Sequence, residues 1–260
     1  MQSLRHIIFT LTILLSACSG EPRPSPTGAT APADPSLAPV FHLWAWQRPE
    51  DLSFIDPTDT KLALLTGSIT LDGERMGVTP RENPVIYPDG TEVIAVIRLE
   101  ASGQYGMETA GRLADTIIEI SAPFNPVEYQ IDFDARQTQR EFYRLLLTQL
   151  RRRLDGRALS ITALASWCFH DDWISGLPID SAVAMLYRMG PETATIRQKL
   201  SSGGQFPVTI CLHNAGYSTD EPLAPVKELQ RIFLYHPLPW SERRFKEFTD
   251  EITGMLQESY

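Results

Sequence analysis

The sequence lacks the short motifs that define several common enzyme classes. No G-x-S-x-G nucleophile motif, P-loop or dinucleotide-binding G-x-G-x-x-G occurs in its 260 residues, which argues against an esterase, a P-loop nucleotide-binding protein and a Rossmann dehydrogenase. An excess of basic residues is also missing, since the formal net charge is -9, whereas nucleic acids attract basic patches. The sequence therefore predicts no nucleic-acid partner and implies no cofactor.

Cysteine is scarce, with three in the chain. The cysteines and histidines lack the spacing of a zinc site, so we predict no metal centre. Cys168 and Cys211 could pair in an oxidising compartment, but they lie near the ends of predicted strands that are not neighbours. The tight geometry of a disulfide therefore argues against this pair.

One short apolar run, residues 7–15, follows Arg5 and His6 and precedes the small-residue segment L-S-A-C that ends at Cys18. This layout is typical of a secretory signal, and L-S-A-C resembles the lipobox of bacterial lipoproteins. The resemblance implies a lipid anchor on Cys18 and, because Ser19 is not aspartate, the periplasmic face of the outer membrane if the source is Gram-negative. The alternative is an ordinary cleaved signal that contains a cysteine.

Three segments follow from this pattern. Residues 1–18 are predicted to be the lipoprotein signal peptide. Residues 19–39 are rich in proline, alanine and serine and show no apolar periodicity, which is typical of a semi-extended tether. Residues 40–260 have the composition of a globular domain, and we expect them to form a single domain.

The acidic stretch Y-Q-I-D-F-D-A carries two aspartates, Asp132 and Asp134. Side chains alternate between the two faces of a strand, so Gln130 shares a face with both aspartates, while Ile131 and Phe133 occupy the other face. An unpaired buried charge is costly. The pair therefore indicates a strand end in solvent, a metal site or a catalytic pocket.

A helix over 138–154 is predicted directly after this strand, with Thr138 and Glu141 as a capping box. Seven further apolar, β-branched runs are separated by helical patterns at 109–120, 171–176, 192–201 and from 241. All eight predicted strands are Phe41–Gln47, Leu62–Thr70, Val93–Leu99, Glu128–Phe133, Leu159–Leu164, Ala182–Arg188, Val208–Leu212 and Arg231–Tyr235.

This alternation predicts an α/β fold, an irregular (β/α)8 TIM-type barrel in which a hairpin over 71–92 replaces the helix between strands two and three. An open doubly wound sheet is the alternative. In a barrel the carboxyl ends of all strands share one face, where active sites lie. Acidic, aromatic and amide side chains collected there favour a sugar ligand. The candidate sugar-binding residues are Arg98, Trp44, Trp46, Gln130, Trp167, Tyr187, His213, Asn214 and His236.

Glycoside hydrolysis typically needs two carboxyl groups on either side of the scissile bond. Asp134, the outermost on its strand, is the candidate general acid, with Asp132 or Glu100 as the second carboxylate and Arg98 holding one of them ionised. A structural ion-pair network of Arg98, Glu100 and Asp132 inside the barrel remains the alternative. Because Trp44 and Trp46 share one strand face, we expect at least one of them in the core.

Several of these segments together resemble a bacterial family of predicted envelope lipoproteins that carries a domain of unknown function. They are F-H-L-W-A-W-Q-R, V-I-R-L-E, Y-Q-I-D-F-D-A, L-S-I-T-A-L-A-S-W and A-M-L-Y-R-M-G. The resemblance covers most of the chain after the tether. It implies a glycoside-hydrolase-like barrel in the cell envelope, and it implies no established activity or catalytic residue.

The sequence thus predicts an envelope lipoprotein whose barrel binds a polysaccharide or oligosaccharide and hydrolyses it through strand-end carboxylates. One alternative is a catalytically silent binding or scaffold lipoprotein that keeps a barrel mouth suited to a sugar ligand. Another is an assembly factor, which would expose an apolar patch outside the mouth.

Overall fold

The structure is a computed structural model that describes residues 38–258. Its strands are β1 Val40–Ala45, β2 Glu50–Asp51, β3 Thr60–Asp72, β4 Arg75–Pro80, β5 Val85–Ile86, β6 Val93–Ala101, β7 Glu128–Asp132, β8 Ala158–Leu164, β9 Ser181–Met185, β10 Asn214–Ser218 and β11 Arg231–Tyr235. Its helices are α1 Met107–Ser121, α2 Arg140–Arg153, α3 Ala165–Phe169, α4 Thr193–Ser201 and α5 Glu242–Glu258. The predicted signal peptide and almost all of the tether, with Cys18, lie outside the described residues.

Eight parallel strands close into a barrel in the order β1, β3, β6, β7, β8, β9, β10 and β11. Closure is made by β1, which pairs with β11 on one side and with β3 on the other. The predicted (β/α)8 TIM-type barrel is therefore confirmed. Because all eight strands run in one direction, their carboxyl ends form a single mouth.

The predicted departure from regular alternation is also present. β3 continues into an antiparallel hairpin with β4, which turns at Gly73, a residue with a φ of 58°. β2 and β5 form a separate two-stranded ladder. The chain forms no helix between β3 and β6, so its loops on this side of the mouth are built from strand and turn residues.

Helices pack on the outside of the barrel through apolar stripes at helical spacing. In α1 the buried face is Ala110, Leu113, Ala114 and Ile117. α2 packs beside α1 and covers the outward-facing Ile131 and Phe133, the latter edge-on to the Tyr143 ring with centroids 5.1 Å apart. None of the helices within residues 38–258 has the length and apolar character that a membrane span requires.

The interior of the barrel is filled by a second, smaller apolar cluster. Its members are Trp44, Ala63, Leu65, Ile94, Val96, Val183 and Phe233. Trp44 is buried, as expected for at least one of the two tryptophans, and its Nε1 donates to Gln130 Oε1 at 2.9 Å. Gln130 Nε2 also donates to Ser160 Oγ at 3.4 Å. Hydrogen-bonded polar side chains therefore lie below the apolar cluster, toward the amino-terminal end of the barrel.

The amino-terminal end of the barrel is closed by a polar network around Glu128. Arg231 Nη2 donates to Glu128 Oε2 at 2.7 Å, and Ser160 donates its hydroxyl proton to the other carboxylate oxygen. Arg231 Nη1 donates to Ser181 Oγ at 3.1 Å. Each charged group therefore has a partner, which is the condition for keeping charges in a barrel interior.

One strand prediction is wrong. The seventh strand is Asn214–Ser218, not Val208–Leu212, which instead contains a short 3₁₀ helix, Thr209–Cys211. The true strand contains Ala215 and Gly216 in place of large apolar residues. A Cβ on Gly216 would lie 2.8 Å from the Trp44 ring, so the space that a large side chain would need is taken by Trp44.

Two local expectations are also corrected. The helix over 138–154 begins with a 3₁₀ turn, Gln137–Gln139, and the reciprocal cap is made by Gln139 Oε1 accepting from the Arg136 N–H at 2.9 Å, rather than by Thr138 and Glu141. Cys168 and Cys211 form a disulfide with Cα atoms 5.9 Å apart. Cys211 can reach Cys168 because it lies in the 3₁₀ helix that precedes β10 and not, as expected, at the end of a strand.

Candidate functional site

The mouth of the barrel holds a cleft made of two adjoining cavities. The first, of about 250 Å³, is bounded largely by aromatic and apolar side chains from β1, β8, β9 and β11. The second, of about 470 Å³, opens over β3, β6 and the start of the turn before α2. Arg98, Asp132 and Asp134 line both cavities, so the two predicted catalytic aspartates stand where the cavities meet.

Asp132 and Asp134 reach the cleft because the alternation of β7 continues for two residues past its end at Asp132, with Ile131 and Phe133 buried on the outer side. Asp132 is the deeper of the two and is half-buried, while Asp134 is exposed at the rim. Thr162 on the neighbouring strand β8 donates its hydroxyl to Asp132 Oδ1 at 2.7 Å. The carboxylates are therefore held differently, one by a fixed hydrogen bond and one free to meet a ligand.

Both carboxyl groups have raised pKa values. Burial raises the pKa of Asp132 above 3.8; the Thr162 hydrogen bond and Arg98 act against this, and the charges of Asp134 and Glu100 add to it. Burial also raises the pKa of Asp134, against the lowering effect of Arg98. Carboxyl groups with raised pKa values in a cleft are candidates for general acid chemistry.

An aromatic wall faces these carboxylates across the first cavity. Tyr187 and Tyr235 stack in parallel with centroids 5.4 Å apart, and Trp46 meets Tyr235 edge-on at 5.9 Å. Trp44 lies below them, edge-on to Tyr187 at 6.3 Å. Flat ring faces beside polar groups are suited to the apolar face and hydroxyl edge of a pyranose.

Arg98 and Glu100 form an ion pair at the rim, with Arg98 Nη2 3.1 Å from Glu100 Oε1. Their side chains are 47% and 61% exposed, so this pair is not the buried network that the sequence left open. The charge network that does close the barrel interior lies at the opposite end, around Glu128. Glu100 thus lines the second cavity with its charge already partnered.

Five of the predicted sugar-binding residues lie elsewhere. Gln130 is fully buried beneath Trp44, and Trp167 is in the outer core, edge-on to Trp173 at 5.0 Å. His213 and Asn214 are at the amino-terminal end of β10, opposite the mouth, because the seventh strand was misplaced.

The fifth is His236, which follows β11 on the mouth side. Its ring packs on Trp240, its Nδ1 is hydrogen-bonded to Thr219, and it lines neither cavity. The structure therefore brings together Arg98, Trp44, Trp46, Tyr187 and the three predicted carboxylates, while these five residues are not among the cleft lining.

Several residues of the cleft were not predicted. Tyr235 and Thr162 point inward because each lies two residues beyond an interior residue, Phe233 and Ser160 respectively, and this period-two signal was available in the sequence. Arg188 also lines the first cavity. No group of three or more histidine, cysteine, aspartate or glutamate side chains within residues 38–258 is arranged to hold a metal ion.

Solved structures that resemble this fold include two glycoside hydrolases. One is a GH18 chitinase from Pseudoalteromonas aurantia, with 12% identity and a TM-score of 0.55 over 84% of this chain and 100% of that chain. The other is a fungal endo-beta-N-acetylglucosaminidase from glycosyl hydrolase family 18, with 14% identity and a TM-score of 0.53 over 85% of this chain and 99% of that chain. At this identity the likeness establishes the barrel fold alone.

No protein-family model and no curated protein match the sequence. The resemblance to a family of envelope lipoproteins therefore stays a prediction. The fold and the mouth together define a TIM-type barrel whose partly aromatic cleft holds two carboxyl groups, one half-buried and one exposed.

Proposed function

We propose that the barrel mouth binds an oligosaccharide and cleaves a glycosidic bond, with Asp134 as the general acid. The observation that carries this proposal is the position of two carboxyl groups with raised pKa values where an aromatic cavity meets a polar one. The similar barrels of a chitinase and an endo-beta-N-acetylglucosaminidase add support from fold analogy.

The binding step uses the two cavities differently. Trp46, Tyr187 and Tyr235 offer ring surfaces for stacking against a sugar. The second cavity offers carboxylate, guanidinium and hydroxyl groups, among them Asp72, Ser102 and Arg136, for hydrogen bonds to sugar hydroxyls. A chain that lies across both would place one of its linkages beside Asp134.

The chemical step needs a proton at the leaving-group oxygen. Burial favours the protonated form of Asp134, and its position at the rim leaves it open to a ligand. Asp132 precedes Asp134 by two residues and lies deeper in the barrel, roughly 7 Å away along the backbone. With the Thr162 hydroxyl fixing one of its oxygens, Asp132 is suited to stabilise positive charge at the sugar ring in the transition state.

The second carboxylate remains part of the proposal. In most glycosidases two carboxyl groups lie about 5–9.5 Å apart across the bond, whereas in substrate-assisted enzymes the substrate supplies the nucleophile. Asp132 ends β7 and Asp134 follows two residues later, whereas Glu100 is paired with Arg98. This arrangement favours Asp132 over Glu100 as the partner of Asp134.

The test compares the purified wild type with Asp134→Asn on a panel of envelope and capsule polysaccharides, and measures binding by thermal shift and cleavage by reducing-sugar release. We expect cleavage to fall about 10²–10⁴-fold in the variant, the usual loss when a general acid is removed, while binding is kept. Ser175→Ala, on the surface away from the cleft, serves as the control. Equal cleavage by the wild type and Asp134→Asn would refute the acid role.

One observation favours a second candidate function, a binding protein without catalysis. Both carboxylates that line the aromatic cavity come from one short segment, Asp132 at the end of β7 and Asp134 two residues later, and neither faces the other across the cavity as the two-carboxylate geometry requires. In that case a glycan stabilises the wild type and Asp134→Asn alike, and no product forms with either.

For location, we propose that a lipid on Cys18 anchors the barrel in the cell envelope. The L-S-A-C segment and the apolar run before it support this proposal. Radiolabelled palmitate should be incorporated into the wild-type chain in bacterial cells and not into Cys18→Ser. Incorporation into both would refute it.

A further inference from the structure

Three consecutive residues after β9, Tyr187, Arg188 and Met189, all line the first cavity. Consecutive residues of an extended strand point to opposite sides, so a regular strand end would contribute fewer of them. Arg188 has a φ of 50°, in the left-handed region. This conformation turns the backbone at Arg188 and so brings three successive side chains to the cleft.

The left-handed conformation of Arg188 is held by neighbouring residues. Its backbone N–H donates to Glu221 Oε1 at 2.8 Å, and Glu221 Oε2 accepts from Arg197 Nη2 at 3.0 Å. Arginine is not a residue that adopts positive φ readily. Residues held in such conformations cluster at binding sites, and the Glu221–Arg197 pair supplies the support that holds this one.

The Arg188 guanidinium lies against the aromatic wall, 5.3 Å from the Tyr235 ring centroid. Its nearest carboxylate is Asp220, at 3.8 Å, with the two side chains 58% and 44% exposed. Exposed ion pairs at this separation contribute little, and Asp220 also accepts a hydrogen bond from Ser218. Within residues 38–258 no side-chain hydrogen bond uses the Arg188 donors, so they are available to a ligand.

The other arginine of the first cavity is in a different situation. Arg98 is paired with Glu100 and lowers the pKa values of Asp132 and Asp134. Its charge is therefore shared among three carboxylates on one side of the mouth. Arg188 stands beside the aromatic wall on the other side, where stacking would bring a sugar ring.

We propose that Arg188 binds the carboxylate of an acidic sugar unit, so that the ligand of the cleft is a uronate-containing oligosaccharide. The planar guanidinium fork matches a carboxylate in a two-point hydrogen bond, while Trp46 and Tyr235 contact the ring of the same chain. This inference rests on the proposed sugar-binding function and adds the substrate class to it.

The test measures binding to the full chain by calorimetry. The probes are tetramers of galacturonate, mannuronate and a glucuronate-containing disaccharide repeat, each beside its methyl ester, which removes the charge alone. The tetramer of N-acetylglucosamine is the neutral reference. We expect at least one acid form to bind about 10–100 times more tightly than its ester, the size of a charge-assisted hydrogen bond.

Three variants separate charge from conformation. Arg188→Gln should abolish the preference for the acid form, and Arg188→Lys should keep part of it. Arg188→Gly should also abolish it while keeping or raising the melting temperature, because glycine adopts positive φ freely. Arg243→Gln, an 87% exposed arginine on α5, makes the same change in net charge and should leave the preference intact.

The outcomes distinguish this inference from the proposed function. Binding of the neutral tetramer, with no preference for any acid form over its ester, would overturn the uronate inference and keep a sugar-binding cleft. An acid preference that survives in Arg188→Gln would overturn the role of Arg188. Failure of every probe, acid or neutral, to bind the wild type would overturn both.

Discussion

The two ends of the barrel interior use the same strand, β7, to hold carboxylates in opposite ways. At the amino-terminal end, Glu128 is bonded to Arg231 and to the Ser160 hydroxyl, and its side chain is 10% exposed. At the mouth, Asp132 takes one side-chain hydrogen bond from Thr162, and Asp134 stands exposed. The Glu128 carboxylate is therefore paired and buried, whereas the carboxylates of Asp132 and Asp134 face a cleft.

The position of a carboxylate along the barrel axis therefore decides what it does. At the lower end the cost of a buried charge is offset by a partnered cation, which contributes to holding the barrel closed. At the mouth the cost of burying a charge is only partly offset, and the pKa values of Asp132 and Asp134 are therefore raised. This agrees with the general division of TIM barrels into a stabilising and a functional end.

The largest effect is expected for Arg231→Met. The variant leaves the Glu128 carboxylate buried without its cation, which should lower the free energy of unfolding by about 3–5 kcal/mol. Urea denaturation measures the change. The double variant Arg231→Met with Glu128→Gln should recover much of the loss, because no buried charge remains.

The matched control at the mouth is Arg98→Met. Its ion pair with Glu100 is exposed, so the free energy of unfolding should change by less than about 1 kcal/mol. Equal losses in Arg231→Met and Arg98→Met would show that the two ends do not differ as we describe.

A smaller effect is expected for Trp44→Phe. Removing the indole N–H leaves the buried Gln130 Oε1 without its donor, which should cost about 1–3 kcal/mol of unfolding free energy. Trp46→Phe at the mouth should leave stability within about 0.5 kcal/mol and instead weaken glycan binding. A glycan-binding defect in Trp44→Phe at full stability would contradict this division.

His42 at the lower end should make the protein sensitive to acid. Burial, then the charge of Arg231, lowers the pKa of His42 well below 6.5, so the unfolded chain binds its proton first. Stability should therefore fall as pH drops below about 6.5, with a slope of at most about 1.4 kcal/mol per pH unit. Between pH 7 and 5 the melting temperature of His42→Asn should depend less on pH than that of the wild type. The control His170→Asn, which changes an exposed ring, should keep the pH dependence of the wild type.

Asp132 should have the opposite pH dependence. Its pKa is raised on folding, so the folded protein binds the proton more tightly and stability falls as pH rises from the ordinary aspartate range through the raised value. Asp132→Asn should therefore be more stable than the wild type at pH 7, by about 0.5–2 kcal/mol, and this gain should vanish in acid. Glu128→Gln should be less stable than the wild type at pH 7. A gain in stability in Glu128→Gln would contradict the difference between the two ends of the barrel.

Much of the fold was predictable from local pattern. Apolar runs in the strands and apolar stripes at 3.6-residue spacing in α1, α2 and α5 follow from burial between the barrel and the surrounding helices. Strands such as β3, β6 and β8 were therefore predicted close to their observed bounds. The hairpin after β3 was predicted from its turn residues. In the site, Asp132 and Asp134 were found because strand alternation and the carboxyl-end rule are local and general.

The errors at the seventh strand and at Arg188 have one physical origin, which is that partners distant in sequence change the local signal. Gly216 is required by the Trp44 ring, so β10 has little apolar character, and the residues at its start, His213 and Asn214, were placed at the wrong end. Arg188 was missed because its left-handed φ depends on Glu221, 33 residues further along the chain.

The barrel class, the inward face of β7 and the presence of two carboxylates at its end follow from the amino-acid sequence alone, since these depend on periodicity within single elements. Which charges are neutralised depends instead on contacts between strands that are distant in sequence. Glu128 meets Arg231 across 103 residues, and Cys168 meets Cys211 across 43. Such pairings depend on barrel closure and on the exclusion of water, which no local pattern records.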